Sequence, residues 1–285
     1  MKIYPLNTGF FKLDGGAMFG VVPKQLWQKT NPADGMNLCD WAMRSMLIED
    51  GNRLMLIDAG IGDKQDEKFF SHYHLSGNDT LIGNLKKYGF SPDDVTDVFL
   101  THLHFDHVGG AIKWNKDRTG FEPAFKNASY WSTENHWEWA TKPNPREKAS
   151  FLKENILPLE ESGQLKFVKR TGDYTENAFN DINIIFADGH TESMMCPEIL
   201  YKGKKIVFMA DLLPSVGHLP LPYVMGYDTR PLLTLTEKEK FLNRAADEEL
   251  ILFLEHDSVN ECCTVQRTEK GVRLKEAFRF EDMFG

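Results

Sequence analysis

Short apolar runs, each closing on a polar loop, set the rhythm of this 285-residue chain. Four stand out: Val95–Leu100, Ile182–Ala187, Ile206–Ala210 and Leu250–Leu254. Each has the length and composition of a buried strand. Helical periodicity appears between these runs. Over Asp79–Tyr88, Leu81, Ile82, Leu85 and Tyr88 share one helical face, with Asp79 as the cap and Gly89 as the stop. Trp131–Ala140 and Arg146–Asn155 read as short helices flanking a loop that holds Pro143 and Pro145. Thr236–Glu248 opens on a capping-box pattern, Thr236 with Glu239, and carries Phe241, Leu242 and Ala245 inward. Two stretches, 11–41 and 212–235, show no regular period. They are rich in aromatic residues, methionine and, in the second, proline. Mixed strands and helices of this kind suit an α/β chain with two sheets face to face and helices outside.

The polar residues that close the strand-like runs carry the chemistry. After Val95–Leu100 comes THLHFDHVGG, which places His102, His104, Asp106 and His107 within six positions. Side chains leaving a strand alternate in direction, so His102 and His104 can face one side and Asp106 and His107 another. The glycine pair reads as a turn. His190, Asp211 and His256 each follow one of the other three runs. Imidazole and carboxylate are the ligand types that borderline divalent metals accept, and seven such groups at strand ends suit a site for two ions. His72 and His74 lack a preceding apolar strand and read as exposed loop residues. His136 sits among tryptophans and reads as structural.

HxHxDH followed by a histidine, an aspartate and a histidine, each at a strand end, resembles the metallo-beta-lactamase superfamily over nearly the whole chain. The resemblance implies a pair of strands over Arg44–Gly62, where it begins, and runs to His256. The segment LIDAG resembles that family's element whose aspartate, here Asp58, supports the metal loop. The resemblance implies a four-layer αβ/βα sandwich and one domain over residues 1–285. It implies two divalent metal ions, zinc favoured: His102, His104 and His190 on the first, Asp106, His107 and His256 on the second, and Asp211 between them. An aspartate at the bridging position separates the chain from those beta-lactamases that carry cysteine there.

The phrases GAMFGVVPKQLW and LPSVGHLPLPYVMGYD resemble a branch that includes N-acyl-homoserine lactonases and enzymes like methyl parathion hydrolase. The expectation is therefore a dinuclear hydrolase that opens a lactone, such as an N-acyl-homoserine lactone, or cleaves a related ester through a metal-bound hydroxide. Asp106 is expected to take a proton during that reaction. The alternatives are a phosphotriesterase or thioesterase on the same metals and, outside enzymes, a metal-binding sensory module. Lactonases of that branch place a tyrosine three residues after the bridging aspartate. This chain has Pro214 there, so His218, Tyr223 or Tyr227 is expected to supply the missing donor, with His218 favoured as a catalytic group.

Composition narrows the partners. With 41% hydrophobic and 26% charged residues, the chain has an ordinary globular balance. Its net charge of -9 and lack of a long basic run disfavour nucleic acid. No segment has the length of a membrane span or the pattern of a secretory leader. Cys39, Cys196, Cys262 and Cys263 form no CxxC spacing, which suits reduced thiols and a cytoplasmic location. The apolar N-terminal stretch allows a homodimer. A small-molecule lactone or ester is the expected partner.

Overall fold

The computed structural model describes residues 1–285. They form two compact units, residues 1–9 with 43–170 and residues 10–42 with 171–285. The strands are β1 (Lys2–Asp14), β2 (Leu38–Asp50), β3 (Arg53–Ile57), β4 (Asp97–Phe99), β5 (Ile112–Trp114), β6 (Phe121–Pro123), β7 (Ser129–Ser132) and β8 (Leu165–Phe167). They continue with β9 (Tyr174–Phe179), β10 (Ile182–Ala187), β11 (Met194–Tyr201), β12 (Lys204–Phe208), β13 (Ile251–Phe253), β14 (Cys262–Thr268) and β15 (Gly271–Phe278). The helices are α1 (Gly15–Phe19), α2 (Lys24–Trp27), α3 (Glu67–Ser71), α4 (Leu81–Lys87), α5 (Phe105–Val108), α6 (Glu134–Thr141), α7 (Lys153–Glu161), α8 (Pro231–Asp247) and α9 (Phe280–Phe284). Strands β1 and β2 are long enough to pass from one unit into the other.

The first unit is built on a mixed sheet in the order β1-β2-β3-β4-β7-β8. The β2–β3 hairpin pairs Met46 with Ile57 and Asp50 with Arg53, the pair of strands that the resemblance implies over Arg44–Gly62. Strands β3, β4, β7 and β8 then run parallel. Parallel strands are buried on both faces, and Val98 and Phe99 are fully buried. Leu56, Leu85, Leu103, Tyr130 and Leu159 complete this core. The second unit carries the order β15-β14-β13-β12-β11-β10-β9, antiparallel except where β12 meets β13. Stacked Phe208 and Phe253 lie within it, their rings 5.3 Å apart. Helix α8 buries Thr234, Lys238, Phe241, Leu242 and Ala245, a stripe at helical spacing.

Several boundaries differ from the sequence reading, each for a local reason. Thr80 caps α4, accepting from the Gly83 amide at 3.0 Å, while Asp79 binds the Asn84 side chain. Trp131 belongs to β7, and α6 begins after Thr133, whose hydroxyl accepts from the His136 amide. Residues 145–150 are turns, because the Asn144 side chain takes up the amides of Arg146 and Glu147, a local bond that competes with helix. The helix there is α7, further on. Helix α8 starts at Pro231 and not at Thr236, since proline is preorganised for a first helical turn; the Thr236 hydroxyl instead donates to the Leu232 carbonyl. The stretch 11–41 is partly regular, holding the end of β1, α1, α2 and the start of β2.

No helix is long and apolar enough to cross a membrane. All four cysteines are buried, and none forms a disulfide.

Candidate metal centre

In the first unit, β4 ends at Phe99 and the chain enters the loop of His102, His104, Asp106 and His107, all buried. One carboxylate organises it. Asp58 follows β3 with a φ of 54°, a left-handed conformation that costs energy in a non-glycine residue and is found where function holds it. Asp58 Oδ1 accepts from the Thr101 amide at 2.8 Å, and Oδ2 accepts from the Thr101 hydroxyl at 2.6 Å. His107 Nδ1 lies 3.0 Å from the same Oδ2. The Thr101 oxygen in turn sits 3.1 Å from His102 Nδ1. The loop is closed by Gly109 and Gly110, and here the structure revises the expected turn. Gly109 has ordinary helical dihedrals. A β-carbon on Gly109 would lie 2.0 Å from the Ile61 carbonyl oxygen, and one on Gly110 2.1 Å from that of Ala59. The glycines are required by the close approach of two backbones.

These bonds fix which nitrogen each ring presents. His102 Nε2 and His104 Nδ1 face one another at 3.0 Å. His104 turns its Nε2 to Glu147, at 3.3 Å. Glu147 is itself held by Trp139 Nε1 at 2.6 Å and by the Asn144 side chain. His107 directs Nε2 toward Asp106 Oδ2, 3.7 Å away. His136 is structural, its Nε2 accepting from the Leu103 amide at 2.9 Å. His72 and His74 are exposed. Within this unit the ligand atoms of His102 and His104 lie within 4.8 Å of one another, as do those of Asp106 and His107.

The second unit carries His190, Asp211 and His256 at three strand ends. His190 Nδ1 meets Asp228 at 3.0 Å, and His256 Nδ1 donates to the Ala42 carbonyl at 2.8 Å. Their Nε2 atoms face the two oxygens of Asp211 separately, His190 at Oδ2 and His256 at Oδ1, each at 3.0 Å. Asp211 follows Ala210, another left-handed residue with a φ of 43°. Glu237 on α8 accepts the amides of Asp188 and Gly189 at 2.7 and 3.0 Å, which fixes the turn leading to His190. Burial pulls the His190 imidazole down, but the carboxylates of Asp211 and Asp228 outweigh it and raise its pKa to about 10. A cavity of about 580 Å³ lies beside α8, with Leu212 and Phe241 in its wall, and none of the seven candidate ligands lines it.

His218 is placed differently from the ligand histidines. Its Nε2 donates to the Met18 carbonyl at 2.9 Å, and its Nδ1 accepts from the Ser215 hydroxyl at 2.9 Å. Its ring stacks on Phe19 at 4.3 Å, and Phe19 stacks on Trp27 at 5.2 Å. Burial lowers its pKa to about 3. Lys238, buried on α8, donates to the carbonyls of His218, Pro220 and Tyr223. His218 is thus a neutral clamp within a strapped loop. Tyr223 packs its ring edge-on to Phe19, and Tyr227 is 40% exposed.

Glu147, Asp228 and Glu237 escaped the sequence reading. They lie 43, 38 and 49 residues from His104, His190 and Asp188 respectively, and no local pattern joins them.

Residues 44–256 match the model of the metallo-beta-lactamase superfamily. The chain is similar to the N-acyl homoserine lactonase AiiA of Bacillus thuringiensis subsp. kurstaki, at 24% identity over 269 residues, covering 90% of this chain and 93% of that protein. A crystal structure of a probable metal-dependent hydrolase from Staphylococcus aureus superposes with a TM-score of 0.86 at 29% identity, covering 98% of this chain and 97% of that one. The structure of AidC, a dizinc quorum-quenching lactonase in complex with a product, gives a TM-score of 0.76 at 22% identity, with 97% and 94% covered.

Proposed function

Because the chain belongs to the metallo-beta-lactamase superfamily, we propose that it is a metal-dependent hydrolase that opens N-acyl-homoserine lactones or closely related lactones. One observation carries this reading. Each of the five ligand histidines has one ring nitrogen tied to an oxygen partner, while its other nitrogen faces another ligand residue. That arrangement fixes tautomer and ring direction, as metal-binding histidines require. His218, with one nitrogen committed to Ser215 of its own loop and the other to the Met18 carbonyl on α1, shows the contrasting structural pattern.

We assign His102, His104 and His190 to one divalent ion and Asp106, His107 and His256 to a second, with Asp211 between them. The separate approach of Asp211 Oδ1 and Oδ2 to His256 and His190 supports the bridging role. The imidazole-rich donor set favours zinc. Bound there, two divalent cations supply Lewis acidity and bring the proton loss of water close to neutral pH. The water oxygen adds to the ring carbonyl carbon and the acyl C–O bond breaks. Asp106 accepts a proton, and the ring oxygen leaves as an alcohol after taking one up. One water is consumed and the product is an N-acyl amino-acid carboxylate. His218 acts in this scheme by positioning its loop. Four buried thiols outside any disulfide support a reducing compartment such as the cytoplasm.

The test is turnover on acyl-homoserine lactones, a simple γ-lactone, an aryl ester and a phosphotriester, with and without prior chelation. The expected result is chelator-sensitive lactone opening that exceeds the other rates. Chelator-sensitive ester or phosphotriester cleavage with inert lactones would overturn the substrate class.

A further inference from the structure

Pro214 stands where related lactonases carry a tyrosine, and the His218 ring is committed to Ser215 and Met18. Besides Tyr223 and Tyr227, the first unit holds a further polar donor beside the loop of His102 to His107. The chain leaves α3 through a turn in which the amides of Tyr73 and His74 both bond the Phe70 carbonyl. This sets the Tyr73 ring against Phe69 at 5.0 Å and Phe105 at 4.7 Å. Phe69 also meets Phe105 edge-on at 5.5 Å. Phe105 lies in the ligand loop between His104 and Asp106, so the three-ring cluster seats Tyr73 directly on that loop.

The hydroxyl of Tyr73 is the unspent part of this arrangement. The hydroxyls of Tyr4, Tyr88, Tyr130 and Tyr174 donate to Glu49, to the Pro5 carbonyl, to the carbonyls of Ala111 and Phe125, and to Glu198 respectively. Tyr73 is half-buried and its hydroxyl donates to no protein group. An ordinary phenol, with a pKa of about 10, keeps its proton at neutral pH. A half-buried phenol with a proton to donate, packed against Phe69 and Phe105, is suited to a polar group delivered by a ligand.

We propose that Tyr73 is a substrate-contacting residue whose hydroxyl donates a hydrogen bond to a carbonyl oxygen of the substrate. The proposal rests on the lactonase reading above. Phe69 and Phe105 hold the ring rigid, so the bond forms without first freezing a free side chain.

The test uses the full metal-loaded chain, Tyr73→Phe, and two readouts. The first is the Kd of N-hexanoyl-homoserine, a product-like probe that needs no turnover, by calorimetry. The second is lactone opening resolved into kcat and KM. The variant keeps the ring and its packing and removes only the donor. The expected result is unchanged metal content, a probe Kd weakened by about 5-fold or more, and kcat/KM lower by about 10- to 100-fold. Tyr73→Leu, which also removes the ring packing, should weaken the probe further. Equal Kd and equal turnover in wild type and Tyr73→Phe would overturn the role of Tyr73 and leave the lactonase reading intact. A wild-type chain that neither binds the probe nor opens the lactone would overturn both.

Discussion

The two halves of the proposed ligand set are built by opposite means. In the first unit four ligands occupy six consecutive positions, and Asp58 clamps the loop at Thr101 and His107 together. In the second, three ligands stand at separate strand ends and each has its own partner: Asp228 for His190, the Ala42 carbonyl for His256, and the two facing histidines for Asp211. The first design concentrates its dependence on one buried carboxylate. The second distributes it. Damage to a clamp should therefore spread in the first unit and stay local in the second.

Asp58→Asn tests the concentrated design and should have the larger effect of the two clamp variants, Asp58→Asn and Asp228→Asn. One oxygen acceptor becomes an amide NH2 donor that faces either two other donors, the Thr101 hydroxyl and His107 Nδ1, or the Thr101 amide. Metal affinity should fall by about 100-fold, the upper end for loss of a partner that orients ligands, and a competing chelator reads it directly. Asp228→Asn keeps an acceptor for His190 Nδ1 and loses only charge, so its cost should be about 10-fold. Equal losses in the two variants would remove the contrast. Asp211→Ala sharpens it from the other side, because His190 and His256 lose their shared partner at once; metal content should drop and hydrolysis should cease. His218→Ala should be milder. Both metals stay bound, kcat/KM falls a few-fold, and the lost stack and hydrogen bonds destabilise the fold by about 2–4 kcal/mol. Metal analysis with a melting curve separates the two effects.

A further effect is one of pH. In the metal-free chain His190 titrates near 10, above its ordinary 6.5, so it is protonated at neutral pH. Its contribution to stability is complete below pH 6.5 and is lost as pH rises through 10. Metal binding must displace that proton, so affinity should weaken by up to about 10-fold per unit as pH falls below 10. Proton release on metal addition in a weakly buffered solution checks this.

The same contrast explains what the sequence discloses. The ligands are legible because each is welded to the end of an apolar run, where strand period and polar chemistry coincide. Strand β10 has the bounds Ile182–Ala187 that its composition predicts. Asp58 is legible only through family likeness. Glu147 and Asp228 are not legible at all, since they reach their histidines through tertiary folding across tens of residues. The glycine pair shows a subtler limit. Gly109 and Gly110 look like a turn, but what they accommodate is the backbone of Ala59 and Ile61, and pattern carries no trace of an approaching chain. Lys238 marks the same limit: it sits in the apolar stripe of α8 because three carbonyls of a distant loop surround its ammonium group.

The most direct measurement is the initial rate of acyl-homoserine lactone opening by metal-free chain as zinc is titrated in. The account predicts negligible rate without metal and a rise to a plateau at two ions per chain. A rate independent of zinc, or a plateau at a single ion, would contradict it.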